Sequence, residues 1–194
     1  MSQAQQFFEQ LYGGQEGVLE LRALEPGDSK PRERDFIALR DGRIDAGRVE
    51  SFIQTCAAKK WNAYFGVALR AQASIKDRKG DLDHCQSLTA LFVDADYKRE
   101  GEAETRGKIA ALPVPPSLMV STGGGLHVYW LLSRPLLLKT ADGLAQARQL
   151  LQSVAKHADV VDQSVSEPAR VLRIPGTWNF KYTPPLPVVW EDAE

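Results

Sequence analysis

The chain has 194 residues, enough for one compact domain or two small lobes that bury roughly two-thirds of the unfolded chain's surface. Its 43% hydrophobic and 25% charged residues exclude a disordered chain, and no apolar run approaches the ~18 residues that a membrane span needs. A formal net charge of -1 excludes a molecule whose overall field gathers polyanions, so any nucleic-acid contact has to rest on local charge.

The polar start MSQAQQ lacks the layout of a secretion signal, and Cys56 and Cys85 are the only cysteines. A cytoplasmic protein is expected, with both thiols as small core residues. Phe7, Phe8, Leu11 and Tyr12 share one helical face between residues 3 and 12, and Gly13-Gly14 supplies the stop. Two strands near 17–23 and 34–40 follow, joined by the polar loop EPGDSKPRER. Val49, Phe52, Ile53, Cys56 and Ala57 mark an amphipathic helix from about Asp45 to Lys60. AYFGVALR reads as a strand, KDRKGD as a charged loop, and LTALFVDADY as a buried strand ending in two carboxylates.

A polar helix near 101–112 stops at Pro113, and the apolar runs SLMV and LHVYWLL form a hairpin about STGGG. Thr140 caps a helix whose apolar face is Leu144, Ala147, Leu151, Val154 and Ala158. After Val160-Val161 come Asp162, the turn ARVLRIPGT, a strand WNFKY and a final run PLPVVW. The element order is mixed α/β.

On a strand, Asp94-x-Asp96 sends both carboxylates to one face, where they can converge on hard cations. A strand merely ending in solvated acids has the same pattern. His127 must point away from the stripe Leu126, Val128, Trp130 and Leu132, and Gly123, Gly124 and Gly125 before it allow close backbone approach to a phosphate. Asp162 can complete a carboxylate triad, with Asp159 as its rival. Arg170 and Arg173, three apart, reach one face if the segment is helical, and suit bidentate grip on phosphate. In WNFKY, alternation puts Asn179 and Lys181 on a polar face and Trp178, Phe180 and Tyr182 in the core. Arg70, ending AYFGVALR, is a further candidate for the anion site.

FVDADY, STGGGLHVYWLL and VVDQSVSEPARVLRIPGTWNFK, in this order over residues 63–182, resemble the three motifs of the archaeo-eukaryotic primase superfamily. The likeness is strongest to the primase-polymerase domains of replication proteins in phages, plasmids and other mobile elements. It implies an α/β (α+β) fold in which an RRM-like catalytic sheet module (residues 63–194) joins a smaller N-terminal α/β module (residues 1–62). It also implies a DNA primase-polymerase working by a two-metal mechanism, with Asp94, Asp96 and Asp162 holding two Mg2+ or Mn2+ ions and His127 on the triphosphate of the incoming dNTP or NTP. Arg170, Arg173 and Lys181 would assist with phosphates. Gly125 stands where relatives often carry serine, so backbone amides or Ser121 would substitute for the lost hydroxyl. The implied partners are a single-stranded DNA template and primer, and a C-terminal helicase module in a longer protein of which this chain is a fragment.

Two rivals come from other classes. A non-catalytic single-strand binding domain of the same fold would stack bases on Tyr129 and Trp178, but three carboxylates would repel its ligand. A rolling-circle nicking enzyme wants paired histidines, and GLHVYW carries one.

Overall fold

The computed structural model describes residues 1–159 and 167–191. The chain opens with α1 (Gln3–Tyr12), the hairpin β1 (Val18–Leu24) and β2 (Glu33–Ala38), α2 (Ala46–Ala58), β3 (Asn62–Gly66) and β4 (Leu69–Arg70). A short helix α3 (Ala73–Asp77) and a 3-10 turn lead into β5 (Cys85–Asp96), followed by α4 (Glu102–Ala110) and the hairpin β6 (Leu118–Ser121) and β7 (Gly125–Leu137). Then come α5 (Ala141–Ala158), β8 (Val171–Arg173), β9 (Thr177–Asn179) and β10 (Leu186–Glu191).

The strands form one sheet in the order β8-β3-β1-β4-β5-β7-β6-β10-β9, with β2 on β1, and every pairing among the described residues is antiparallel. The long strands β5 and β7 pair through Val93↔Val128, Asp94↔His127 and Asp96↔Gly125, and β6 continues the row through Val120↔His127. The mixed α/β architecture expected from the sequence is therefore present, and among the described residues no helix is long and apolar enough to cross a membrane.

Helices cover both faces. α1 is fixed at its start by reciprocal bonds between Ser2 and Gln5, and its buried Phe7 packs edge-on to Phe65 (5.6 Å) and Tyr129 (5.4 Å). On the opposite face α5 packs across β5 and β7, burying Ala147 and Leu151. α2 is capped by Asp45, which accepts from the Arg48 amide, and buries Val49, Phe52 and Cys56. Burial pushes the Cys56 thiol up to about 12, and Cys85 is buried as well, so both cysteines are core residues as expected.

Local boundaries differ from the expected ones in three places. AYFGVALR splits into β3 and β4, because the chain leaves β3 at Val67, whose amide bonds to the Arg170 carbonyl. The expected loop KDRKGD gives its first two residues to α3, which is closed by Arg78 in a left-handed conformation. WNFKY is strand only through Asn179. Asn179 is buried and Trp178 exposed, the reverse of the packing expected for Trp178.

Candidate functional site

At the end of the sheet where β5 finishes, a cleft of about 230 Å3 is walled by β3, β5, β7, β9 and the segment around β8. The alternation of β5 puts Asp94 and Asp96 on the cleft side and buries Val93 and Ala95 on the other. Because Asp94 pairs with His127 in register, the two side chains stand side by side, with His127 Nε2 3.4 Å from Asp94 Oδ1. His127 is buried and its Nδ1 has no partner among the described residues. From the facing segment, Arg170 donates to Asp94 Oδ2 at 3.0 Å. Burial by itself raises the Asp94 pKa, but His127 and Arg170 outweigh it and hold the carboxyl well below the usual carboxylate range. Asp96 is exposed and its Oδ1 accepts from the Lys98 amide at 2.9 Å.

Arg173 lies deeper. Its Nη1 donates to Asn62 Oδ1 at 2.8 Å and its guanidinium sits 4.8 Å from the centre of the Tyr64 ring. Burial lowers its pKa, and among the described residues no carboxylate pairs with it. Asn62 Oδ1 also accepts from the Phe180 amide (2.9 Å), while Asn179 donates to the Thr122 carbonyl (2.8 Å). These two asparagines tie the turn after β9 to β3 and to the β6–β7 hairpin, and so hold Lys181 and Tyr182 at the cleft rim.

The hairpin itself is a two-residue turn, Gly123-Gly124, closed by the Thr122 amide bonding to the Gly125 carbonyl at 2.9 Å. Gly123 has φ 78°, and a Cβ on Gly124 would collide with the Tyr182 hydroxyl. Close approach is thus used first by the protein's own tyrosine.

Asp94, Asp96, Gly124, His127, Arg170, Arg173 and Lys181 are brought together as the sequence reading requires. Asp162 lies outside the described residues. Its rival Asp159 caps α5, faces Lys108 (3.5 Å) and Arg99 (3.8 Å), and does not line the cleft. Arg170 and Arg173 meet there without a helix: Arg170 precedes β8 and Arg173 ends it.

Three expectations need correction. Arg70 is fully buried and paired to Glu20 at 2.9 Å, so it is a core ion pair and cannot reach a ligand. Ser121 pairs with Leu126, one position out of register from His127, and so faces the other side of the sheet; Thr122 takes the place at the cleft. Gly123 and Gly125 stay outside the lining, Gly123 packing on Leu186 and Gly125 on the Ala95 carbonyl. Sequence reasoning missed Asn62, Tyr64, Thr122, Asn179 as a cross-link, and Tyr182. Asn62, a buried amide at the start of the mostly apolar strand NAYFG, is the one with a readable signal.

The large antiparallel sheet flanked by helices is a fold this chain shares with solved primase domains. Among solved structures the chain is similar to the AEP domain of the cyanophage S-2L primase-polymerase (PrimPol), with a TM-score of 0.68 and 16% identity, covering 98% of this chain and 89% of that one. It is also similar to primase RepB', with a TM-score of 0.62 and 13% identity, covering 98% of this chain and 56% of that one. No protein-family model matches the chain, and no curated protein matches it in sequence.

Proposed function

We propose that the cleft carries out template-directed nucleotidyl transfer, joining a dNTP or NTP to the 3′-hydroxyl of a primer on single-stranded DNA. One observation carries this reading: Asp94 and Asp96 share a cleft with His127 and with the cations Arg170, Arg173 and Lys181. Phosphoryl chemistry of this kind needs hard cations beside an anion grip. The names of the two similar structures point the same way.

The donor set fits Mg2+ or Mn2+. Among the described residues no cluster of three or more protein ligands exists, and Asp94 and Asp96 are the two carboxylates available. Magnesium is commonly bound through one or two carboxylates plus substrate phosphates and water, which is what such a pair offers. Two bound ions would activate the 3′-hydroxyl and neutralise charge on the triphosphate, with Asp162 as the proposed third ligand. The remaining roles fall to the chain's own side chains. Arg170 holds Asp94 ionised and oriented, and Arg173, fixed by Asn62 and Tyr64, presents its unused N–H groups to a phosphate. Lys181 adds charge at the rim, and His127 stands beside Asp94 where a triphosphate oxygen would reach it.

The rivals lose support on particular residues. Tyr129 is wholly buried under α1 and cannot stack a base. The three histidines lie apart: His127 in the cleft, His84 beside Asp81, and His157 beside Trp130 on the far face, so none pair as a nicking enzyme needs. The deciding experiment is extension of a labelled primer with magnesium or manganese. Wild type is expected to extend it, Asp94→Ala and Asp96→Ala to leave it unextended while melting near wild type. Extension by Asp96→Ala at the wild-type rate would refute the assignment.

A further inference from the structure

A second surface lies on the other side of β9 from the cleft. β9 turns Asn179 into the cleft wall and Trp178 to its other side, where Trp178 is 47% exposed. Trp178, Trp61 and Phe180 line a groove against the C-terminal end of α2. With a volume of about 70 Å3, the groove can take a ring face but cannot enclose a nucleotide. Lys59 Nζ stands 4.4 Å from the centre of the Trp61 ring, Lys60 beside it is exposed, and Lys181 is exposed at the cleft rim. Each aromatic is the chain neighbour of a residue that lines the cleft or holds its lining: Trp61 of Asn62, which bonds Arg173, Trp178 of Asn179, and Phe180 of Lys181. The surface and the cleft thus lie on opposite sides of β9 and the turn after it, joined through the same backbone.

Charge separates the possible occupants. The patch is built from two stretches of chain, residues 51–76 and 168–190, neither of which contains Asp or Glu. Pairing of β3 with β8 and packing of α2 on β9 bring them together. No carboxylate lines the groove. A molecule with net charge -1 has thus kept acid out of the lining of one aromatic groove and placed lysine beside it, although Glu33 is close enough to act on Cys56. Flat apolar faces beside cations suit a ligand that carries flat aromatic rings and negative charge on one backbone, namely unpaired nucleic acid.

We propose that this patch is the stacking platform for the unpaired template strand, with a base on Trp178 and backbone phosphates on Lys59 and Lys60. The name template rests on the polymerase reading of the cleft; the binding of unpaired strand does not.

The test is titration of a fluorescein-labelled oligothymidine into the protein without metal or nucleotide, so that the platform is read whether or not the cleft polymerises. Trp178→Ala is expected to weaken binding between about fivefold and a hundredfold, the loss that follows removal of one base–aromatic stack. Trp178→Phe keeps a ring face and should restore most of the affinity. Replacing Lys59 and Lys60 with glutamine should flatten the dependence of log affinity on log salt by about 0.7 for each phosphate that a lysine no longer neutralises. Unchanged affinity in Trp178→Ala overturns the proposal. So does displacement of the oligonucleotide by duplex DNA, or by an acidic peptide, as effectively as by unlabelled single strand, because stacking needs unpaired bases. Primer extension retained in Asp94→Ala together with abolished binding in Trp178→Ala would sink the reading of the cleft and leave the platform standing.

Discussion

Replacing Arg70 and Arg173 separately with methionine should give opposite results, because the two guanidinium groups are buried for different reasons. Arg70 donates to Glu20 from Nε (3.1 Å), to the Ala68 and Ala169 carbonyls (2.7 and 3.3 Å) and to Cys85 Sγ (3.0 Å), with no exposed surface on Arg70 or Glu20. Removing one partner of a buried pair costs about 3–5 kcal/mol, since the other charge is left in a low-dielectric interior. Glu20 keeps Arg22 at 2.6 Å, which favours the lower end, ~3 kcal/mol. At ~2–4 °C per kcal/mol for a chain of this size, Arg70→Met should melt roughly 6–12 °C below wild type. Arg173→Met loses one bond to Asn62 but also the cost of holding an unpaired cation out of water, so its stability should stay within about 1 kcal/mol of wild type. The order reverses for ligand. A charge-assisted bond to phosphate contributes ~1.5–3 kcal/mol, so Arg173→Met should lose about ten- to a hundredfold in affinity for a magnesium-bound dNTP, and Arg70→Met, measured below its melting point, little. Thermal melting and calorimetric titration read the two effects. Wild-type melting with weakened nucleotide binding in Arg70→Met would refute the core role given to Arg70.

His127→Ala should raise the nucleotide concentration needed for half-maximal extension by roughly ten- to a hundredfold while template affinity changes little; separate titrations check it, and the reverse pattern would move this histidine to the template path. Asp162→Asn should lose extension and metal-dependent nucleotide binding whereas Asp159→Asn, whose carboxylate faces Lys108 and Arg99, should lose neither. His84 is held by Asp81 and lies 3.3 Å from Asp77, and these contacts raise its pKa above the usual ~6.5. Its stabilisation is therefore complete below about pH 6.5 and fades as pH rises through the raised folded value, so the melting gap between wild type and His84→Gln should be widest near pH 6 and close at alkaline pH. A gap that does not change with pH would refute the ion pair.

The long elements were legible because their residues carry a period. The apolar face of α1, the stripe Val49, Phe52 and Cys56 of α2, and the abrupt end of β5 in Asp94 and Asp96 all follow from 3.6- or 2-residue spacing. Once β5 and β7 are placed as neighbours, one register puts Asp94 beside His127, and that register could be anticipated only through the motif order. Arg70 failed for a reason that local sequence does not contain. A cation at a strand end reads as exposed, and here the partner that buries it, Glu20, lies fifty positions earlier on a strand that β4 meets only at Val18. Ser121 failed by a single residue, since a slip of one exchanges the faces of a strand. Trp178 failed because alternation fixes only that it faces away from Asn179 and not whether that side is covered; it stands 47% exposed beside the end of α2.

The net charge of -1 looked unfavourable for a polyanion ligand, and the distribution of charge in the cleft explains how the two coexist. Two carboxylates, Asp94 and Asp96, face three cations, Arg170, Arg173 and Lys181. Arg170 is committed to Asp94, but Arg173 and Lys181 have no carboxylate partner among the described residues. Among the described residues the cleft therefore carries one cation more than it has anions, and Asp162 as a third ligand would bring that balance to zero before any metal binds. Elsewhere many of the acids are engaged locally, as Glu20 is by Arg22 and Arg70, and Glu191 by Arg106 at 2.8 Å. Electrostatic attraction at separations beyond ~10 Å is screened at ordinary salt, so a ligand at the cleft is governed by these few groups and not by the sum over the chain. A divalent ion on these carboxylates would then make the cleft positive, and Arg173, which has no carboxylate partner among the described residues, would add to it, which is why loss of Arg173 should weaken nucleotide binding even where the carboxylates are intact.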